Sequence, residues 1–418
     1  LRRVKPERAT QLAAKMSRPA VVLLITLSAL LHSTFAGCRV NLNGDLTQAN
    51  APLFLKPSGA REYELLQPSG ASFEWSAGER IVVGCSPGKN VITNVGKSLA
   101  NLTCYENRTF TFGNLKGNFL TLTLPAINCS SPISGAIMPR NTSCAEGSGR
   151  LHELGFEMND ETFVRYFKAC YNLEKLSAIY SEHQLPGKLL SHAQIGNTRP
   201  SFKVGGIASK VSLASVYTRK HQQERFTTLL GSATLASQYI NSSSYLAKGH
   251  LTPDGDAIVD SWTAATYFFI NAAPEWQAVN VGNWLRVENA VRKVATQLND
   301  TVLVYTGVYD ILQLPGVSGK LVPITLADGG LVEVPKWLWK VVVHQPTGSA
   351  IALITMNNPF AARGDTLCED ICSRYGWQQK EFQDVRKGFT YCCTVREAQK
   401  AIKLMPKSIV AAHVLRHS

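Results

Sequence analysis

Lys248-Gly249-His250-Leu251-Thr252-Pro253-Asp254 is followed, thirty residues after its histidine, by Asn280-Val281-Gly282-Asn283-Trp284-Leu285-Arg286-Val287-Glu288. The first run reads as a strand entering a turn. Tyr245-Leu246-Ala247 leads into it, and Pro253-Asp254-Gly255-Asp256 is built of turn formers. Thr266 to Ile270 is β-prone and apolar and predicts a second strand, ending at Asn271 and the breaker Pro274. Beyond it Trp284, Val287, Val291, Ala295 and Leu298 recur at helical spacing, which predicts a helix starting near Gly282 with one face packed inward. Asn280 stands at the mouth of that helix. Glu288 follows just over two turns later, and Arg292 one turn further on the same face.

These residue types at this spacing have a definite chemistry available to them. Cleaving a phosphodiester needs a nucleophile, help for the leaving oxygen and neutralisation of the charge that builds on phosphorus. A neutral histidine can take a proton from water near physiological pH. A hard Mg²⁺ ion keeps several waters and takes few protein ligands, and an asparagine oxygen is one it accepts. A nearby glutamate can hold water around the ion, while Lys or Arg pairs with phosphate oxygens, Arg bidentately. Taken singly, each residue has a plainer reading. A histidine is usually a surface or core residue, an asparagine before a helix an N-cap, and Glu288 with Arg292 a solvated ion pair. Asp254 and Asp256 read as turn formers.

Working outward, the 418 residues carry 43 basic and 30 acidic side chains, a net charge of +13. Six of the basic residues and one acid fall within residues 1–36, leaving +8 on the remainder. That excess suits a polyanionic partner without requiring one. The apolar run Ala20 to Leu31 follows Met16 and Arg18, and Thr34 and Ala36 fit a cleavage before Gly37. A basic start, a short apolar run and small residues predict a secretory signal peptide. No later segment is long and apolar enough for a membrane span. A soluble, extracellular protein is therefore expected.

All ten cysteines lie after this leader, and an even count in a secreted chain predicts disulfides of unspecified pairing. Cys368, Cys372, Cys392 and Cys393 could instead be read as a four-thiolate zinc site, the weaker reading in an oxidising compartment. Two bridges tying the C-terminal helix to a neighbouring segment are expected. Six N-x-Ser/Thr triplets begin at Asn101, Asn107, Asn128, Asn141, Asn241 and Asn299, and the crowding of the first four predicts a glycosylated surface. Residues 37–147 hold half the cysteines and short alternating runs such as Phe119 to Leu124, and read as a disulfide-stapled, mostly β module. Residues 148–418 read as mixed, with helices at Phe163 to Tyr171 and Tyr217 to Leu230 and strands at Ala178 to Tyr180 and Trp339 to Val343.

Lys248-Gly249-His250-Leu-Thr-Pro-Asp254, Phe269-Ile-Asn271-x-x-Pro274 and Asn280-x-Gly-x-Trp284-x-x-x-Glu288-x-x-x-Arg292 resemble the DNA/RNA non-specific endonuclease family. The later Tyr305-Thr-Gly307 and Val334-Pro-x-Trp337-x-Trp339-Lys340-Val341 resemble it as well, so the likeness covers roughly residues 150–400. Within the family the chain is most similar to secreted insect gut nucleases that degrade double-stranded RNA as well as DNA. The resemblance implies an α+β fold with a ββα-metal site on a central antiparallel sheet, preceded here by the small β module. It implies His250 as general base, Asn280 as the direct ligand of Mg²⁺ (or Mn²⁺), Glu288 as the holder of water around the ion, and Lys248, Asn271 and Arg292 as supporting groups around the phosphate. Double-stranded RNA, DNA and single-stranded RNA are the implied substrates, 5′-phosphates the implied product ends, and the gut lumen the implied location. The usual family motif is Asp-Arg-Gly-His. Here Lys248 keeps the charge but loses the bidentate fork, and Ala247 removes a carboxylate. That departure is the one feature favouring a non-catalytic nucleic-acid-binding protein, against which His250, Asn280 and Glu288 stand intact. A clamp, a pro-region or a stability element are equally open roles for the N-terminal module.

Overall fold

The computed structural model describes residues 37–417, apart from 61, 114–118, 125, 195, 197 and 198. The leader and signal-peptide reading of residues 1–36 lies outside the described residues. Two sheets dominate. Strands Tyr63–Leu65, Leu53–Pro57, Arg80–Gly84, Leu99–Glu106, Thr109–Gly113 and Phe119–Thr123, in that spatial order, form a six-stranded antiparallel sheet. The nine-stranded sheet runs Thr390–Cys393, Ser349–Met356, Pro335–His344, Thr301–Ile311, Ser177–Pro186, Thr162–Asn172, Gly149–Asn159 and Ala136–Cys144, all neighbours antiparallel. The short strand His413–Val414 adds to Ser349–Met356 in parallel. With helices on this sheet, the chain is α+β, as the resemblance implied.

The strand Pro335–His344 shows how the sequence sets the layers. Leu338 and Val342 pack into one hydrophobic cluster, while Trp337, Trp339, Val341 and Val343 pack into another on the opposite face. A strand covered on both faces reads as an apolar run rather than as alternation, which is what Trp337 to Val343 is. The exception in that run is Lys340, 1 % exposed and in phase with Leu338 and Val342.

Phe163 to Tyr171 is not a helix but the strand Thr162–Asn172. Arg165 faces Gly155 and Phe167 faces Leu154, so Tyr166 is an extra residue on its strand. Such a bulge breaks the two-residue alternation and lets the apolar positions imitate helical spacing. The second site strand is also displaced. Thr266 to Ile270 makes turns and an isolated bridge from Phe268 to Lys203, and the strand itself is Ala272–Trp276. Pro274 lies inside that strand rather than ending it, tolerated because the pairing is a two-stranded ribbon with a free edge. The helix after Thr218 spans Arg219–Leu230.

The cysteines pair as Cys38–Cys104, Cys85–Cys129, Cys144–Cys170, Cys368–Cys393 and Cys372–Cys392. The last two tie the 368–372 segment to the strand Thr390–Cys393, which leads into the helix Val395–Ala401, so the four-thiolate zinc reading falls. Among the described residues no helix is long and apolar enough to cross a membrane. Of the six sequon asparagines all but the half-buried Asn128 are exposed.

Candidate active site

The site is built on a ribbon and a helix. Strand β1 (Leu246–His250) pairs antiparallel with β2 (Ala272–Trp276), with Ala247 opposite Glu275, Lys248 opposite Pro274, Gly249 opposite Ala273 and His250 opposite Ala272. After β2 the chain turns through Gln277–Val279 and a π-turn, Asn280–Trp284, into helix α1 (Leu285–Leu298). Val287, Ala290, Val291, Val294 and Ala295 form the buried stripe of α1 and fix which way Glu288 and Arg292 face.

Gly249 is required by packing. A Cβ there would lie 2.0 Å from the carboxyl carbon of Glu275 and 2.3 Å from both its oxygens. Where β1 ends, Asn271 holds the exit. Its Oδ1 accepts from the Thr252 amide at 3.0 Å, and its Nδ2 donates to the Thr252 and Thr266 carbonyls at 2.9 Å each. Asn271 is fully buried, with oxygen and both amide hydrogens engaged by backbone. It therefore acts on the site by fixing the loop that follows His250.

The His250 ring sits between Phe202 at 4.9 Å and Tyr267 at 4.8 Å between centroids. Burial lowers its pKa to about 4; Asp254 opposes that shift and Arg199 adds to it. Among the described residues its Nε2 is inaccessible and has no hydrogen-bond partner. The imidazole is thus neutral throughout the physiological range, as a proton acceptor must be. Tyr267 also fixes Asp254, donating from its hydroxyl to Oδ2 at 2.6 Å. Lys248 lies on the same ribbon face as His250, its ammonium 5.5 Å from the Phe202 centroid and 5.9 Å from those of Tyr217 and Phe269. An ammonium among three rings is held by cation–π attraction in place of the fork an arginine would have offered.

Asn280 opens the π-turn, and its amide makes no hydrogen bond among the described residues. The turn is held from the far side. Asn283 Nδ2 donates to the Glu381 and Gly388 carbonyls at 2.6 and 2.7 Å, and a Cβ on Gly282 would come within 2.7 Å of the Lys387 carbonyl. Segment 381–388 runs directly into the disulfide-bonded strand Thr390–Cys393, so the bridges stiffen the support of the turn. π-turns of this kind occur often at functional sites.

Glu288 is raised to about 7 by burial, with Lys340 and Arg292 opposing and Asp256 and Asp254 adding. Arg292 reaches Glu288 at 3.6 Å and donates through Nε to Asp256 Oδ1 at 2.6 Å. It is therefore largely committed to protein carboxylates rather than open to solvent. The charge of Asp254 acts on both His250 and, more weakly, Glu288. Lys340, in the middle of an apolar strand, donates to Thr306 Oγ1 at 2.5 Å and lies 5.1 Å from the Trp284 ring. Burial lowers its pKa, against the pull of Glu288, Asp256 and Glu275.

Sequence reading missed Phe202, Tyr267, Glu275 and Lys340 as members of this site. A lone lysine among Trp337 to Val343 was a signal in hand; the two rings come from loops and gave none. The donors suit a hard divalent cation that keeps its waters. The amide oxygen of Asn280 is unengaged among the described residues, Glu288 follows on the adjoining helix, and among the described residues no imidazole and carboxylate donors of the site converge in threes within 4.8 Å.

A histidine closing a two-stranded ribbon, followed by a helix that begins with an amide and carries a carboxylate, defines a nuclease of the ββα type. The model of the DNA/RNA non-specific endonuclease family matches residues 147–398, and the chain belongs to that family. It is 30 % identical to a salivary endonuclease of Lutzomyia longipalpis over 89 % of this chain and 85 % of that protein. It is 26 % identical to a salivary endonuclease of Culex quinquefasciatus over 79 % of this chain and 80 % of that one. Salivary protein Tsal2A of Glossina morsitans morsitans is 25 % identical over 95 % of this chain and 98 % of its own length.

Proposed function

We propose that this nuclease is a secreted, Mg²⁺-dependent endonuclease (Mn²⁺ substituting) that hydrolyses phosphodiester bonds in double-stranded RNA and DNA, and in single-stranded RNA. The observation that carries the reading is His250: half-buried between two rings, kept neutral, with no hydrogen bond to Nε2 among the described residues. In this reading His250 takes the proton from the attacking water, and Asp254 steadies the imidazolium that results. Asn280 holds the cation through its amide oxygen and Glu288 holds the water around it. The cation, when bound, supplies charge neutralisation at the phosphate. Lys248 contributes positive charge beside the base, while Arg292 and Asn271 fix Asp256 and the loop after His250. A protein that engages phosphates and groove shape has no base code to enforce, which fits little sequence preference and tolerance of both RNA and DNA duplexes. The paired cysteines and the salivary names of the relatives support secretion. We assign residues 37–147 to an N-terminal module and 148–418 to the nuclease domain.

The test is side-by-side digestion of single- and double-stranded RNA and DNA, with and without chelator, by the unmutated chain and by His250→Ala. Chelator-sensitive cleavage of all these substrates that the variant loses, with nucleic-acid binding kept, is the expected result. Binding by the unmutated chain with no cleavage of any substrate sinks the reading.

A further inference from the structure

We propose that the chain carries a second binding site, separate from the nuclease centre, for a small organic cation with an apolar body. The site is a cavity of about 290 Å³, bounded on one side by Ala272 to Pro274 of β2. On the other side lie residues 177–179 and 308–311, at the end of the nine-stranded sheet where Ser177–Pro186 begins and Thr301–Ile311 stops. Its volume is close to the lower bound, about 300 Å³, of pockets that hold small molecules. His250, Asn280 and Glu288 do not line it.

The wall changes character with depth. Leu176, Leu213, Phe269 and Val332 belong to the buried core and give the floor apolar side chains. Tyr217 and Phe269 stack there, their centroids 5.8 Å and their planes 28° apart, and offer ring faces to a flat or chain-like apolar body. The wall also holds Tyr171, whose buried hydroxyl has no hydrogen-bond partner among the described residues, and such a group is uncommon in a wall packed for stability alone. The mouth is charged: Lys175 and Asp310 are exposed there and Glu333 is half-buried. Lys175 lies 3.7 Å from Glu333 and offsets it. Asp310 forms no ion pair among the described residues, and its carboxylate accepts only the Ile311 amide, at 2.9 Å. One negative charge is therefore in excess at the mouth of an apolar chamber, which draws a cation and repels an anion. Tyr217 and Phe269 already flank the Lys248 ammonium at 5.9 Å each. A ligand's ammonium thus belongs at the mouth beside Asp310, with its apolar body against the rings.

The experiment is calorimetry on the full-length protein in chelator, without nucleic acid, using three probes that share one body and differ in charge. These are 3-phenylpropylamine, 3-phenylpropanol and 3-phenylpropanoate. The amine is expected to bind tightest, about fivefold ahead of the alcohol, which is the upper worth of an exposed charge pair, and the carboxylate weakest. Asp310→Asn alters an exposed side chain and should bring the amine to the affinity of the alcohol while leaving the alcohol unchanged. Val308→Trp fills the chamber and should remove binding of both. The proposal is overturned if the unmutated protein does not bind the amine, if it binds the alcohol as tightly, or if Asp310→Asn keeps the full affinity for the amine. Undiminished binding by a folded Val308→Trp overturns it too, since the probe then sits elsewhere. If Val308→Trp does not fold, Asp310→Asn decides alone. The measurement uses neither metal nor nucleic acid, so its result is separate from that of the nuclease reading.

Discussion

Asp256 and Arg292, 36 residues apart, are joined by a 2.6 Å hydrogen bond from the guanidinium Nε to the carboxylate Oδ1, and the other carboxylate oxygen accepts from His183 Nε2 at 2.8 Å. The bond fastens the turn after His250 to helix α1 and, through His183, to the central sheet. The turn after His250 and the helix carrying Glu288 thus meet on one buried carboxylate.

Replacing Asp256 by Ala should therefore be severe. It strands a guanidinium that is only 20 % exposed and removes the partner of His183. Breaking a buried pair from one side costs about 3–5 kcal/mol. Urea unfolding at pH 7 should show a loss of that order. Burial favours the protonated form of Asp256, but Arg292 and then His183 outweigh it and hold the carboxyl well below the usual carboxylate range. The folded pKa is thus depressed. Its stability is present in full above the unfolded value, about 4, and is lost as the pH falls further. Unmutated protein should lose stability below that pH more steeply than Asp256→Ala, and parallel pH profiles would count against the pairing.

The pH dependence of cleavage tests His250 directly. Because burial lowers its pKa to about 4, the imidazole is unprotonated well below the ordinary histidine range. The acid limb of kcat/KM, which reports the free enzyme, should have its midpoint nearer 4 than about 6.5. A midpoint at the ordinary value would mean that His250 is more open to water than its two flanking rings imply. His250→Ala should lower kcat by about 10²–10⁴-fold, the usual worth of a positioned base.

Much of this site was legible in the sequence, and the part that was not has a physical reason. His250, Asn280, Glu288 and Arg292 stood at readable spacings because each lies on or beside one continuous strand or helix, where sequence distance converts to position. Glu275 was hidden because its closeness to Gly249 arises from strand pairing, and the second strand was placed several residues too early. Phe202 lies 48 residues before His250 in the chain and reaches it by a loop whose path no local pattern encodes. The bulge at Tyr166 disguised a strand as a helix for a similar reason, since one inserted residue shifts the phase that periodicity reads. Lys340 was visible as an oddity, but only the packing of Trp284 and the strand's phase show which face it serves.

Gly249→Ala examines the closeness of ribbon and carboxylate. The added methyl would overlap the Glu275 carboxyl, and with strand pairing on both sides of the residue the clash has no cheap relief. Overpacking of this kind costs about 1–3 kcal/mol. The thermal midpoint should fall accordingly, and cleavage should fall with it because Lys248 and His250 ride on the same strand. Combining Gly249→Ala with Glu275→Ala, which opens the space, should recover stability. Additive losses would show that the two do not collide.

Asn283 carries the last prediction, because it touches no substrate in the proposed reading and yet should matter to the cation. Its amide spans two carbonyls of the 381–388 segment and so pins the π-turn on which Asn280 sits. Asn283→Ala leaves the Glu381 and Gly388 carbonyls without this donor, at a cost of about 1–3 kcal/mol for each buried group left unpaired. The turn should then regain freedom, and Asn280 should spend less time in its binding orientation. The expected result is a higher Mg²⁺ requirement for cleavage than the unmutated protein shows, with the affinity for DNA in chelator unchanged. Asn280→Ala should move the metal requirement in the same direction and further, since it removes the ligand rather than its support. If Asn283→Ala lowers the melting temperature but leaves the Mg²⁺ dependence where it was, the π-turn is positioned without the C-terminal segment, and the disulfides there serve stability alone.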